Sequence, residues 1–248
     1  MPKLSIDFET RSLIDLTKVG LYRYAHDSST GIYMMAYSFD DAPPEIWVND
    51  GTPVPKKICK HIETGGEVWA FNAAFERIMW NEVLSRTHIV PKMLVEQTFC
   101  TAAMGRVNSL PNSLGYQAKA LGCRIGKGQH GDRLIRQYSC TNTLWKDIPE
   151  DDQQRFIEYC LRDVEVEQLV ASCCRDLSAD EWDDYHNMER MNDRGIQVDT
   201  EFAEAAIALA AYVKQDVADK MKALTGGYLL STTERKKRDE WLLPKLTK

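Results

Sequence analysis

Residues Leu4 to Glu9, Leu-Ser-Ile-Asp-Phe-Glu, constrain the fold more than any other stretch. Leu4, Ile6 and Phe8 alternate with Ser5, Asp7 and Glu9, the period-two pattern of a strand with one buried face. Asp7 and Glu9 then point to the same side, about 7 Å apart along the strand. Two neighbouring carboxylates repel each other, and burial raises their pKa values unless a cation sits between them. A divalent metal with hard oxygen ligands answers that requirement. A solvated edge strand with a wet acidic face explains the tripeptide equally well. Acids further along the chain have to decide between the two.

The chain has 248 residues, enough for one sizeable core and a smaller unit. Apolar residues make up 44% and charged residues 27%, as in ordinary globular proteins. No apolar run approaches the ~20 residues that cross a bilayer, and no basic-apolar leader precedes the first strand. The chain therefore reads as cytosolic, with no membrane partner. Its 7 cysteines are scattered without a Cys-x-x-Cys pair, which argues for reduced thiols and against zinc. A net charge of −6 excludes a broadly basic nucleic-acid coat. It leaves room for an enzyme whose positive charge comes from metal ions.

In chain order, Gly31 to Phe39 reads as a buried strand. The Asp40–Pro44 turn and Glu45 to Val48 complete a hairpin with it. Pro53 to Glu63 is expected to be helical and to end at Gly65-Gly66, followed by a short strand from Glu67 to Phe71. Asn72-Ala-Ala-Phe-Glu76 turns that strand directly into a helix, leaving Glu76 in the first turn, where the helix dipole favours a carboxylate. An ordinary helix-start acid looks the same. Val95 to Ala103 is a short strand or helix start. Asn112 or Ser113 caps a helix that stops at Gly122. Gly126-Lys-Gly-Gln-His-Gly131 forms a slightly basic loop without the Gly-Lys-Ser/Thr of a phosphate loop.

Ile148 to Asp176 is the strongest helical segment, with Phe156, Cys160, Val164 and Leu169 on an apolar stripe. Tyr159 and Asp163 share a face one turn apart. An isolated Tyr-x-x-x-Asp is most simply a hydrogen-bonded pair. After Asp176 the texture becomes all-helical. Ser178-Ala-Asp-Glu181 is a capping box, and Trp182, Tyr185, Met188 and Met191 mark an apolar side that runs to Arg194-Gly195. Thr200 is expected to cap an Ala-rich helix that ends at Gly226-Gly227. Glu234 to Glu240 is a charge run on a solvated helix face.

Each signal alone is weak, but their order is specific. Asp7-x-Glu9 on a strand, Asn72-x-x-x-Glu76 at a strand-to-helix junction and Tyr159-x-x-x-Asp163 on a late helix resemble the three motifs of the DEDD 3′–5′ exonucleases. Tyr159 marks the tyrosine subgroup, since Glu158 stands where the histidine subgroup carries its His. Ile6 to Thr10, Ala70 to Arg77, Leu110 to Leu114 and Tyr159 to Glu165 resemble the proofreading domain of phage family A DNA polymerases. Met191 to Asp199 is similar to the start of their polymerase domain. The likeness extends to about Gly227. Glu76 replaces a more usual Asp, Phe71 stands where His often precedes the Asn, and Gln97 stands where an Asp commonly precedes the Thr.

The resemblance implies an α/β, ribonuclease-H-like exonuclease fold, with a mixed sheet of about five strands and flanking helices over residues 1–176. Residues 177–248 would be a helical segment, the truncated start of a polymerase domain. The chain stops well short of a palm and fingers, as expected for a polymerase fragment or for a free-standing exonuclease.

The implied ligands for two divalent ions, Mg²⁺ or Mn²⁺, are Asp7, Glu9, Glu76 and Asp163. Two dications balance the charge of four carboxylates and clamp an in-line displacement at the terminal phosphodiester. Tyr159 would orient the attacking water, with Glu9 accepting its hydrogen bond. Thr10, Leu13, Asn72 and Phe75 are the implied substrate contacts, Thr10 at the terminal nucleotide and Leu13 as a wedge against the last base. The implied substrate is the single-stranded 3′ end of DNA, and the product is a nucleoside 5′-monophosphate. The implied partner is a polymerase domain in the same longer chain or a replisome protein, in a phage-encoded protein of the bacterial cytoplasm. An RNA-trimming enzyme on the same scaffold and an inactive DNA-binding module are the rival expectations.

Overall fold

The computed structural model describes residues 2–40, 42–123, 131–231 and 233–246. Packing divides the chain into two compact units, residues 1–193 and 194–248.

The first unit holds five strands: β1 (Leu4–Arg11), β2 (Gly31–Phe39), β3 (Glu45–Val48), β4 (Val68–Ala70) and β5 (Thr98–Cys100). Its helices are α1 (Leu16–Val19), α2 (Leu21–His26), α3 (Lys56–Glu63), α4 (Ala73–Ile78), α5 (Thr101–Val107), α6 (Leu114–Ala120), α7 (Gly131–Leu134), α8 (Glu150–Cys173) and α9 (Ala179–Arg194). The strands form one sheet in the order β3-β2-β1-β4-β5. β1 runs antiparallel to β2 and parallel to β4, so the sheet is mixed and changes sense at β1. This is an α/β fold with helices flanking the sheet.

Alternation along β1 divides the core in two. Ile6 and Phe8 enter a cluster with Met35, Trp47, Ile58 and Trp80 on one face. On the other face Met34 and Ala36 pack with Phe156, Cys160 and Val164 of α8. Asp7 lies opposite Ala36 and Glu9 opposite Met34, so both acids belong to the α8 face. β1 keeps its pairing with β2 as far as Arg11, with a register shift between Glu9 and Thr10. Its pairing with β4 covers only Leu4↔Val68 and Ser5↔Trp69.

Of the two expected caps for α6, Asn112 and Ser113, it is Ser113 whose hydroxyl accepts from Tyr116 N, and Gly122 beyond the helix has φ +69°. The capping box of α9 forms in both directions, through Ser178 N to Glu181 Oε2 (2.7 Å) and Glu181 N to Ser178 Oγ (3.3 Å). Hydrogen bonding to Arg175 and to the Ser178 backbone lowers the Glu181 carboxyl to about 2. Two local expectations need correction. Trp182 and Tyr185 are buried, but Met188 and Met191 are exposed, because only the first half of the expected apolar stripe meets the core. α9 is thereby packed into the first unit.

The second unit contains α10 (Thr200–Thr225) and α11 (Arg235–Leu246). The N-cap of α10 is Asp199, which accepts from Phe202 N at 2.9 Å, rather than the expected Thr200. A carboxylate one residue earlier reaches the free N–H groups of the first turn. Gly226 in the left-handed region (φ 63°, ψ 29°) ends the helix where the Gly pair predicts. Among the described residues no helix is long and apolar enough to cross a membrane. Residues 126–130 of the expected basic loop lie outside the described residues; Gly131 opens α7.

Candidate active site

Glu9 is buried and Asp7 half-buried on the α8 face of β1. The register shift just after Glu9 interrupts the regular ladder there, a common device for aiming a side chain beside a site. The Cys160 thiol of α8 lies 3.6 Å from both Asp7 Oδ2 and the Asp7 carbonyl. Ligand atoms of Asp7, Glu9 and Cys160 all fall within 4.8 Å of one another. Burial, reinforced by the charges of Asp7 and Glu9, pushes the Cys160 thiol well above its ordinary range. The protonated thiol is a poor ligand, so the cluster presents oxygen donors.

Glu76 arrives by the expected strand-to-helix turn. After β4, Asn72 adopts the left-handed conformation (φ 71°, ψ 50°), which Asn tolerates better than most residues. Its carbonyl accepts from Phe75 N at 2.7 Å, and α4 begins at once. Glu76 is only 3% exposed. Its Oε2 has no hydrogen-bond partner among the described residues. Burial first, and the Asp7 charge second, raise its carboxyl well above the usual range.

α8 brings Tyr159 and Asp163, both buried. Burial and then the charges of Asp163 and Glu9 push the Tyr159 phenol far above its normal value, so it stays protonated throughout the working pH range. The backbone of Gly131 lies against the Tyr159 ring so closely that any Cβ there would overlap it.

One cleft of about 770 Å³ gathers Asp7, Glu9, Glu76, Tyr159 and Asp163, with Asn72 and Phe75 also on its wall. The other two expected contacts lie elsewhere. The Thr10 hydroxyl is buried and pairs with Tyr24 Oη at 2.9 Å, while Leu13 is 63% exposed.

The residues present suit divalent cations. Hard carboxylate oxygens converge on one cleft, and a fully buried carboxyl leaves one oxygen unsatisfied among the described residues. An uncompensated buried charge is expensive, and a cation beside it removes the penalty.

Sequence reasoning passed over five neighbours of this group. Cys160 touches Asp7, and its place directly after Tyr159 was the available signal. Arg77 follows Glu76, is 3% exposed, and reaches Glu189 and Asp193 of α9. Tyr185, Met188 and Glu189 of α9 line the cleft. No motif marked them, because long-range packing places them there.

No protein-family model matches the chain. The chain is similar to the DNA polymerase of Bacillus phage SP02, with 31% identity over 242 residues, an alignment covering 91% of this chain and 36% of that protein. The chain thus spans little more than a third of the length of the phage polymerase it matches over most of its own length.

Proposed function

We propose that this chain is a metal-dependent 3′–5′ exonuclease module of ribonuclease-H-like type. It removes nucleoside 5′-monophosphates from single-stranded or mispaired DNA 3′ ends, as a proofreading activity beside a DNA polymerase. The observation that carries the proposal is the convergence of Asp7, Glu9, Glu76, Tyr159 and Asp163 in one cleft from three well-separated stretches of chain. The similarity to a phage DNA polymerase supports a setting in DNA replication, within a bacterial host, and the helical segment from residue 177 onward as the start of a polymerase domain.

Asp7, Glu9, Glu76 and Asp163 would hold two Mg²⁺ or Mn²⁺ ions. When bound, such ions acidify a coordinated water and neutralise charge on the leaving 3′-oxygen. The chain's own residues do the rest. Glu76 would then take the ionised form that its burial otherwise disfavours. Tyr159, held protonated, serves as a hydrogen-bond donor that orients the nucleophilic water and is unsuited to act as a base. Asn72 and Phe75 border the space for the terminal nucleotide.

The test is digestion of 5′-labelled single-stranded DNA with Mg²⁺, beside Asp7→Ala and a matched RNA. A ladder shortening from the 3′ end that vanishes in Asp7→Ala is the expected result. Faster loss of the RNA would replace DNA proofreading with RNA trimming. Intact DNA in both Mg²⁺ and Mn²⁺, with retardation on a gel, would make this a binding module.

A further inference from the structure

α9 contributes no carboxylate to the proposed metal site, yet it borders that site. Met188 and Glu189 come three and four residues after Tyr185, so both neighbour it one turn on along the helix, and all three line the cleft with Glu76 and Asp163. Tyr185 and Glu189 are buried. Met188 is 47% exposed, a large apolar side chain on the cleft wall.

This wall is fixed. Arg77, next to Glu76, donates to Glu189 Oε2 at 3.3 Å and to both oxygens of Asp193. One turn back, His186 Nε2 lies 2.9 Å from the Thr98 carbonyl at the start of β5. α9 is therefore tied to the strand and helix that frame the acids.

The cleft lining is chemically mixed. It combines the carboxylates with apolar surface from Phe71, Phe75 and Met188. A nucleotide calls for both: an anionic phosphate that needs cations and a base with a flat π-face. Thioether carbon and sulfur make favourable, adaptable contacts with aromatic rings, and stacking or apolar contact tolerates any base sequence.

We propose that α9 is a third wall of the substrate cleft, and that Met188 is a contact surface for a nucleobase at the 3′ end of the bound strand. The identity of the occupant rests on the exonuclease reading.

The test uses the full chain and a 5′-fluorescein oligodeoxythymidylate. KM is taken from initial rates with Mg²⁺, and Kd from anisotropy in an Asp7→Ala background. Met188→Ala should raise both by roughly tenfold, the scale of one lost apolar contact with a base. Met188→Leu, which keeps the apolar bulk, should stay within about twofold. Met191→Ala, exposed on the same helix but away from the cleft lining, is the control and should change neither. If Met188→Ala degrades DNA with unaltered KM and Kd, the third wall is overturned and the exonuclease reading stands. If the strand binds in a Met188-dependent way but is never degraded, the wall stands and the exonuclease reading falls. A chain that neither binds nor degrades the oligonucleotide overturns both.

Discussion

Arg77 grips Asp193 with two parallel hydrogen bonds, Nη1 to Oδ2 at 2.8 Å and Nη2 to Oδ1 at 2.9 Å. The same guanidinium reaches Glu189, and Tyr22 Oη adds a further bond to Asp193 at 2.7 Å. Arg77 is the neighbour of Glu76, so the helix bearing one candidate metal ligand is pinned to the last residue of the first unit. Removing the cation would leave Glu189 buried without its counter-charge. Arg77→Ala should destabilise the chain by about 3 kcal/mol, read from urea unfolding. A loss under about 0.5 kcal/mol, the scale of an ordinary surface change, would show the clamp to be idle.

Two acids, the partly exposed Asp193 and the buried Glu167, should give opposite pH signatures. Burial raises the Asp193 carboxyl, but hydrogen bonds from Arg77 and Tyr22 prevail and lower it overall. Its stabilising contribution is present above the ordinary Asp value and is lost as pH falls through the lowered folded value. Burial raises Glu167, and the bonds from Thr101 and Ser5 only partly offset that. Its effect favours the folded state below the ordinary Glu value and fades as pH climbs through the raised one. Asp193→Asn should flatten the fall in stability toward acid pH, and Glu167→Gln the fall toward higher pH. Parallel curves for wild type and both variants would contradict this assignment.

Gly131 should matter to chemistry although it carries no side chain. A Cβ there overlaps the buried Tyr159 ring, so Gly131→Ala must displace the phenol. Since misplacing a catalytic group by ~1 Å costs on the order of 10²-fold, Gly131→Ala should lower kcat by about that factor and add little to the defect of Tyr159→Phe. Full additivity of the two changes would place Gly131 outside the site's machinery.

Glu76 should trade stability for metal binding. Without metal its buried carboxyl is disfavoured by burial and by Asp7, so Glu76→Gln should raise Tm by about 3 °C, the scale of ~1 kcal/mol in a chain of this size. Adding Mn²⁺ should then stabilise the wild type, by preferential binding to the folded state, and stabilise the variant much less. Equal Mn²⁺ shifts in scanning fluorimetry would remove Glu76 from the ligand set.

Much of this architecture is legible in the sequence where local chemistry sets it. Alternation from Leu4 to Glu9 predicts β1 and the shared face of its acids. The Gly31–Phe39 and Glu45–Val48 hairpin matches β2 and β3. The αL turn at Asn72 follows from a strand running straight into a helix. What escapes is set by distant packing. Residues Thr10 to Thr30 are mixed in pattern, with Asp15-Leu16 and the aromatic pair Tyr22 and Tyr24, and show no clear period; they hold α1 and α2 because Tyr24 and Ala25 bury against a core assembled from other segments. Met188 and Arg77 belong to the same class. A Met in an amphipathic helix and an Arg after a Glu carry no local sign of a cleft wall or a clamp.

β1 and β4 share a register only at Leu4 and Ser5, before the acids begin. Beyond that point no ladder connects the strand carrying Asp7 and Glu9 to the strand leading to Glu76. The spacing between those two stretches is thus set without a ladder hydrogen bond between them, so a change of charge among the acids would meet no β1–β4 backbone bond that has to break.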